Sequence, residues 1–306
     1  MEISLIIPAC RFHRYQVLKW RKERRILLRM KRKIPPRLHV LMARDADTAV
    51  VIRRGPSRCT AFVGWNRSTD EFRVGQWLKG RIYERRCDIS PDGKNLIYFA
   101  MNGRWQTEAR GSWTAISRAP YLTALTLLSK GDCWHGGGLF VGSDAYWLND
   151  GYGHKLLRDG AGMRRSSAYP GKDYYGGECP GVYYIRLQRD GWTMTVHIGA
   201  ASDGVDAVFE KRINDHWTLR KTAYATITRT EGRGCYYDTH QLVGRNGDVL
   251  DRGSWEWADV DGNRVVWASN GCLHAGRMKA DGMHGEKLLF DFSTIQFEPI
   301  QAPYQV

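Results

Sequence analysis

The sequence lacks a hydrophobic run long enough to cross a bilayer. Its longest nearly apolar run, Tyr121–Leu128, has eight residues, whereas a transmembrane helix needs about 20. Met1–Ala9 contains no basic n-region, and a basic run follows it where a secretory leader would have its cleavage site. These absences predict that the chain has no membrane span and no secretory leader.

Paired cysteine motifs, nucleotide-binding loops and a nucleophile elbow are missing as well. The seven cysteines are scattered, their number is odd, and no CxxC occurs, which favours a reduced, cytoplasmic setting. No Walker A or Rossmann glycine pattern is present, and no G-x-S-x-G sequence indicates a hydrolase. The sequence therefore predicts no cofactor and favours a non-enzymatic protein over an enzyme.

The basic charge is concentrated in the N-terminal segment. The chain carries a net charge of +14, and residues 1–40 supply 12 − 2 = +10 of it. The sequence predicts two domains: a basic extension over residues 1–37, helical or disordered, and a folded body over 38–306. A solvated tail, or an upstream extension outside the translated protein, explains this segment most simply. The alternative is a nucleic-acid or ribosome-associated factor that binds through Arg11, Arg14, Lys19, Arg21, Lys22, Arg24, Arg25, Arg29, Lys31, Arg32 and Lys33.

Tight-turn dipeptides are abundant in the body. Asp-Gly occurs seven times and Asn-Gly three times between Asp92 and Gly282, and both dipeptides tolerate the positive φ of hairpin turns. Short runs of β-forming residues, such as Leu96–Ala100 and Val182–Leu187, lie between the turns. Ala119–Leu128 is predicted as a short helix or one more strand. Evenly spaced strands with turn signals favour an all-β sandwich, barrel or propeller.

An internal repeat narrows this choice. Arg86–Trp105 and Glu256–Leu273 share an Asp, an Asp-Gly turn, a β run that ends in an aromatic residue and Ala, and a later Asn-Gly. Looser copies are Trp134–Gly151, Val182–Val196 and Thr239–Trp255. Cysteines recur 46 residues apart at Cys87, Cys133 and Cys179. This period matches the ~40–50 residues of a four-stranded propeller blade.

The run SPDGKNLIYF at Ser90–Phe99 resembles the innermost-hairpin motif of TolB-type and WD40-like β-propeller repeat proteins; otherwise the chain resembles uncharacterised bacterial proteins. The propeller resemblance implies a single β-propeller of five or six four-stranded blades, with a pair of β-sandwiches as the alternative. It also implies, by analogy, a ligand or protein surface on one face. The function predicted first is therefore a monomeric, non-enzymatic scaffold or partner-binding module whose partner is another protein.

Candidate partner-binding residues are aromatic, basic or histidine side chains in the less regular stretches. The long loop Gly160–Pro180 holds five of them, and long loops on rigid scaffolds often carry function. Tyr and Arg are also favoured at interfaces. The complete set is Trp134, His135, Arg164, Arg165, Tyr169, Tyr174, Tyr175, His240 and His274.

Three histidines support a third predicted function, that of an enzyme. His135, His240 and His274 would converge at the channel mouth of a hydrolase or lyase. Cysteine lies near each of these histidines, but the spacings match no zinc-finger pattern, so no metal site is predicted.

A second basic cluster is predicted either to meet nucleic acid or an acidic partner, or to be a solvated outer strand; it comprises Arg81, Tyr83, Arg85 and Arg86.

Overall fold

A computed structural model describes residues 34–55, 58–176, 178–197, 207–225 and 236–305. The predicted nucleic-acid-binding residues, Arg11 to Lys33, lie outside the described residues. Within the described part, 22 strands and one α-helix follow one another along the chain. The strands form five sheets, which confirms the prediction of an all-β fold.

Sheets 1 and 5 are simple antiparallel meanders of four strands. In sheet 1, the second strand is buried on both faces, as its run of Ala, Val and Ile predicts. Sheet 1 consists of β1 (Arg37–Met42), β2 (Thr48–Arg54), β3 (Cys59–Asn66) and β4 (Glu71–Lys79). Sheet 5 consists of β19 (Trp257–Asp261), β20 (Arg264–Ser269), β21 (Cys272–Lys279) and β22 (Gly282–Asp291).

Sheets 2 and 3 depart from this pattern, because sheet 2 has six strands and sheet 3 has three. Sheet 2 contains β5 (Arg81–Ile82), β6 (Asp88–Ile89), β7 (Asn95–Met101), β8 (Ser112–Arg118), β9 (Thr126–Ser129) and β12 (Lys155–Asp159). A single 3₁₀ turn, Glu84–Arg86, precedes β6. Sheet 3 contains β10 (Gly138–Phe140), β11 (Ala145–Leu148) and β13 (Arg164–Ser166), and β13 pairs with β11 in parallel.

Sheet 4 follows helix α1 (Cys179–Arg189) and has five antiparallel strands. In β16 and β17, buried and half-buried residues alternate, as expected for strands with one face on a core. Sheet 4 consists of β14 (Thr193–His197), β15 (Ala207–Arg212), β16 (Trp217–Tyr224), β17 (Tyr237–Gly244) and β18 (Val249–Asp251). Only sheets 1 and 5 therefore have the predicted four strands.

Each apolar core lies between elements that follow one another along the chain, and the last sheet also packs on the first. Sheet 1 packs on sheet 2, sheet 2 on sheet 3, and sheet 3 on helix α1. Helix α1 shares one core with sheets 4 and 5. Sheet 5 then packs back on sheet 1, where Val266 and Leu273 share a core with Val51. Each element thus shares a core with its neighbours in chain order, and sheet 5 also shares one with sheet 1.

The signature turn of the repeat is confirmed in part. Gly93 has a φ of +73°, and its N–H donates to the Ser90 carbonyl at 2.9 Å, so the residue turns the chain as its position predicts. Asp88, which is the Asp that both repeat copies share, precedes this turn. It lies in β6, and its side chain is fully buried.

Helix α1 occupies residues that the sequence assigns to a strand. The strand predicted at Val182–Leu187 is wrong: its Val, Tyr and Ile residues have strand propensity, but they are buried around the whole helix. Pro180 suits the first helical turn. A side chain on Gly181 would collide with the Gly176 carbonyl. A helix buried on all sides shows no polar face in the sequence.

The C-terminal segment Ser293–Gln305, called here the C-terminal strap, crosses from sheet 1 to sheet 2. Phe297 packs edge-on against Trp77, with ring centroids 5.9 Å apart. Tyr304 donates its hydroxyl to the Thr123 carbonyl at 2.8 Å. The strap therefore joins two sheets that are already neighbours.

Gln76 in β4 connects the strap to both sheets. Its Oε1 accepts from the backbone N–H groups of Leu122 and Thr123 at 2.7 and 2.8 Å. Its Nε2 donates to the Ile300 carbonyl at 2.9 Å. One half-buried side chain thus satisfies three backbone groups.

Replacing Gln76 by Ala is expected to lower the free energy of unfolding by about 2 kcal/mol, because three backbone groups lose their partner. Urea unfolding measures the change. Gln76→Glu is the matched control, since it keeps the acceptor oxygen for Leu122 and Thr123 and replaces only the donor to Ile300 by a second oxygen. Equal losses in the two variants would contradict this account of Gln76.

Candidate functional site

A buried ion pair lies between the 3₁₀ turn and sheet 4. Arg85 Nη2 and Asp238 Oδ1 are 2.6 Å apart, and both side chains are 4% exposed. Tyr183 of α1 donates its hydroxyl to the other oxygen of Asp238 at 2.6 Å. Burial opposes ionisation of Asp238, but Arg85, Lys221 and the Tyr183 hydrogen bond together outweigh it and hold the pKa of this carboxyl below its usual value. The pair stays ionised and joins sheets 2 and 4 through the helix.

Asp88 forms a second junction between sheet 2, sheet 3 and α1. Its Oδ2 and Oδ1 accept from Nη1 and Nη2 of Arg189 at 2.6 and 2.8 Å. Its Oδ2 also accepts from the backbone N–H of Phe140 at 2.8 Å. Such a two-pronged pair fixes orientation as well as charge. The C-terminal end of helix α1 is therefore joined to sheet 2 by an ion pair.

A cavity of about 370 Å³ lies beside these pairs, between β1, β6, α1 and sheets 4 and 5. Six cationic and three acidic side chains line it, which gives 6 − 3 = +3 of charge. The cations are Arg44, Arg67, Arg186, Arg189, Lys211 and Lys221. The acids are Asp88, Asp190 and Asp259. This space is called the cationic cavity below.

Two of its buried cations lack a carboxylate. In the described part of the chain, no carboxylate oxygen lies within 4.0 Å of the charged nitrogens of Arg186 or Lys221, which are 5% and 0% exposed. Arg186 donates to the Glu84 and Cys87 carbonyls and to Nε2 of His39. A buried charge without a counter-charge is costly, so both side chains favour an anion in the cavity.

Lys221 is held by an aromatic cage. Its Nζ lies 4.5 Å from the ring centroid of Trp192 and 3.4 Å from the Tyr183 hydroxyl. Burial lowers the pKa of this amine from 10.5 to about 8, against the opposing pull of Asp238 and Asp259. Lys221 therefore has a larger neutral fraction at neutral pH than an exposed lysine.

The two buried histidines near this lysine are uncharged. Burial, followed by the charge of Arg186, lowers the pKa of His39 well below its ordinary value. Its Nε2 then accepts from Arg186 at 2.7 Å. Burial also lowers the pKa of His240 to about 4. His240 Nδ1 lies 3.1 Å from the Trp255 carbonyl, and its buried Nε2 has no hydrogen-bond partner among the described residues.

A second cavity, of about 220 Å³, lies at the other end of β1. Its charged lining is balanced, since Arg37, Arg54 and Arg85 face Glu84, Asp238 and Glu256. Burial raises the pKa of Glu256 to about 7, and its Oε1 accepts from the Leu38 N–H at 3.2 Å. Because its charges balance, this cavity attracts an anion less strongly than the cationic cavity does.

Several predicted partner-binding residues gather around sheet 3. Tyr169 packs edge-on against Trp147, with centroids 5.1 Å apart, and Tyr174 packs on Tyr169 at 5.5 Å. Tyr175 packs against Tyr184 of α1 at 5.6 Å. Tyr169 and Tyr175 therefore support the loop and the helix, whereas Tyr174 is 65% exposed.

The basic and tryptophan members of the set border the same sheet. Arg164 and Arg165 lie exposed in β13, and Arg165 pairs with Asp150 at 2.6 Å. Trp134 is 63% exposed. His135 follows it with a φ of +56°, and within the described ranges its buried Nδ1 has no hydrogen-bond partner.

The three histidines proposed for a channel-mouth enzyme lie in separate places. His135 precedes sheet 3, and His240 is fully buried in sheet 4. His274 lies in sheet 5 and stacks on Trp267 at 5.6 Å. None of the three lines the cationic cavity or the smaller cavity.

The cluster of Arg85 and Arg86 is not a solvated strand. Both side chains are buried, and Arg86 pairs with Glu178 and donates to the Cys133 carbonyl at 2.8 Å. The sequence signal for this site was two adjacent arginines in a segment dense in β-forming residues. Their partners lie far along the chain, at Glu178 and Asp238, so spacing alone could not reveal them.

Two negative observations apply to the described residues. They contain no group of three or more His, Cys, Asp or Glu side chains that could hold a metal ion. Helix α1, with 11 residues, is too short to span a membrane, and no other described helix is long and apolar enough to do so.

No protein-family model and no curated protein matches the chain. Among solved structures, the chain is similar to the uncharacterized protein lmo1340 from Listeria monocytogenes EGD-e, at 10% sequence identity and a TM-score of 0.29. The match covers 85% of this chain and 67% of that one. At this TM-score the likeness carries no argument about fold or function.

Proposed function

We propose that the protein is a non-enzymatic binding module, built as a five-bladed β-propeller, that holds a small organic anion in its cationic cavity. The propeller rests on the five sheets in chain order and on the packing of sheet 5 against sheet 1. In this propeller, the three-stranded sheet 3 and helix α1 together form the smallest blade. The module acts as a monomer in a reduced, cytoplasmic setting, and its five described cysteines are unpaired.

The observation that supports an anion-binding site is the pair of buried cations Arg186 and Lys221. Both line the same cavity, both are buried, and neither has a carboxylate within 4.0 Å in the described ranges. The volume of about 370 Å³ falls within the range of small-molecule sites. Apolar side chains, including Val40 and Trp257, complete the wall. This lining suits a compact carbon skeleton with one or two carboxylates.

Thermal unfolding of the full chain with oxalate, succinate, citrate and inorganic phosphate tests this proposal. At least one anion is expected to raise the midpoint saturably at constant ionic strength, because a ligand at 100 times its Kd adds about 2.7 kcal/mol. Lys221→Met is expected to abolish the shift. Lys94→Met is the control, since that side chain is 78% exposed.

Two outcomes would overturn the anion site. One is that none of the four anions stabilises the protein more than sodium chloride at the same ionic strength. The other is that Lys221→Met and wild type respond equally to every anion.

The second candidate is a protein-binding surface beside sheet 3. Trp134 and Tyr174 are 63% and 65% exposed, and tryptophan, tyrosine and arginine are favoured at interfaces. A photo-crosslinking residue at Trp134 is expected to capture one partner of defined mass in cells. The control position is Val249, which is 49% exposed on sheet 4. The same products from both positions would contradict a specific surface.

A further inference from the structure

Lys221 is completely buried and borders the cationic cavity. The side chain is 0% exposed, and it contributes to the wall of the cationic cavity. Its hydrogen bond to the Tyr183 hydroxyl is long, at 3.4 Å, and that hydroxyl donates its own proton to Asp238. Among the described residues, this long bond is the one hydrogen bond of the amine, and the side chain borders the cavity.

The charged groups around this amine come from several elements. Asp238 and His240 lie on the adjacent strand β17, and His240 is the cross-strand neighbour of Lys221. Asp259 comes from sheet 5 and lines the same cavity. Arg186 of α1 and Arg85 of the 3₁₀ turn act on Lys221 from the helix side. The nearest cations oppose protonation, and the two carboxylates favour it.

The resulting balance leaves a reactive fraction of the amine. A pKa of about 8 corresponds to about a quarter of the molecules with a neutral amine at pH 7.5, against about one in a thousand for an ordinary lysine. A neutral, desolvated lysine in an apolar setting is the form that attacks carbonyl compounds.

We infer that Lys221 forms a reversible imine with the carbonyl group of a small 2-oxo acid bound in the cationic cavity. This inference rests on the proposed anion site and names its ligand class. The carboxylate of the acid meets the uncompensated charge of Arg186, and its carbonyl carbon meets Nζ of Lys221. Both side chains belong to the wall of one cavity.

The chemistry balances without a cofactor or a redox partner. The lone pair of Nζ adds to the carbonyl carbon, and the carbonyl π electrons move to oxygen to give a carbinolamine. Nζ then loses its protons while the oxygen leaves as water, and the C=N double bond forms. Hydrolysis reverses the same steps. The complex is a covalent but reversible adduct.

Reductive trapping tests the imine on the full-length protein. Glyoxylate or pyruvate with sodium cyanoborohydride is expected to add one alkyl group per chain, and peptide mass spectrometry is expected to place it on Lys221. Lys221→Met is expected to lose the adduct, whereas Lys94→Met keeps it. Oxalate, which has carboxylates but no ketone or aldehyde, is expected to compete with trapping.

The results separate this inference from the anion site. Oxalate binding without any trapped adduct overturns the imine and leaves the anion site standing. Absence of both oxalate binding and trapping overturns both proposals. Modification spread evenly over exposed lysines such as Lys94 and Lys279, with no excess at Lys221, also overturns the imine.

Discussion

Replacing Asp88 by Asn is expected to lower the free energy of unfolding by about 2 to 3 kcal/mol, because the Arg189 fork loses its buried carboxylate and keeps only Asp190 as a charged partner. Asp88 is fully buried and accepts both hydrogen bonds of the Arg189 fork. It also holds the backbone of Phe140 in sheet 3. One carboxylate thus connects sheet 2, sheet 3 and helix α1, and urea unfolding measures its contribution.

A surface ion pair provides the matched control. Asp215 pairs with Arg212, and the two side chains are 74% and 72% exposed, so Asp215→Asn is expected to change stability by less than about 1 kcal/mol. A double variant, Asp88→Asn with Arg189→Met, is expected to recover part of the loss, because it removes the guanidinium that has lost its buried carboxylate. A loss below about 1 kcal/mol in Asp88→Asn would contradict this role.

Replacing Lys221 by Met is expected to raise the free energy of unfolding of the ligand-free protein by about 3 kcal/mol at pH 7. Burial lowers the pKa of this lysine from 10.5 to about 8, and each pKa unit corresponds to about 1.4 kcal/mol. Met fills similar volume and carries no charge to desolvate. The wild-type side chain therefore costs stability.

The gain from Met depends on pH in a defined direction. Between about pH 8 and pH 10.5 the unfolded chain binds a proton at Lys221 that the folded chain does not, so wild-type stability rises with pH in this window. The cost of the lysine is complete below about pH 8 and absent above about pH 10.5. Urea unfolding at pH 7 and at about pH 9.5 is expected to show a smaller advantage of Lys221→Met at the higher pH.

Lys94→Met controls for loss of a positive charge at the surface, and it is expected to change stability by less than about 0.5 kcal/mol at both pH values. A Lys221→Met protein that is less stable than wild type at pH 7 would show that the lysine has a structural role. A variant that is more stable but binds no anion would show that stability is given up for binding.

The predictable part of the fold is the part encoded locally. Asp-Gly and Asn-Gly mark real turns because few residues tolerate positive φ, and Gly93, Gly262 and Gly271 all adopt it. Glu256–Leu273 and Arg86–Trp105 both contain the first hairpin of a sheet. The all-β class follows from these signals.

Non-local contacts explain what the sequence could not show. Helix α1 is read as a strand because its residues have strand propensity, and its burial on every side comes from neighbours in sheets 3 and 4. The cationic cavity was missed for the same reason, since Lys221, Arg186 and Asp259 are separated along the chain and each resembles an ordinary surface charge.

The packing of sheet 5 on sheet 1 has a consequence for synthesis. The apolar face of sheet 1 that includes Val40 and Val51 is covered by residues of sheet 5 such as Trp257 and Val266, which the ribosome adds more than 200 residues after Arg54. At about 5 to 20 residues per second this takes on the order of 10 to 50 seconds. During that interval the nascent chain exposes this apolar face. Truncated chains that stop before Trp257 are therefore expected to aggregate or to recruit chaperones.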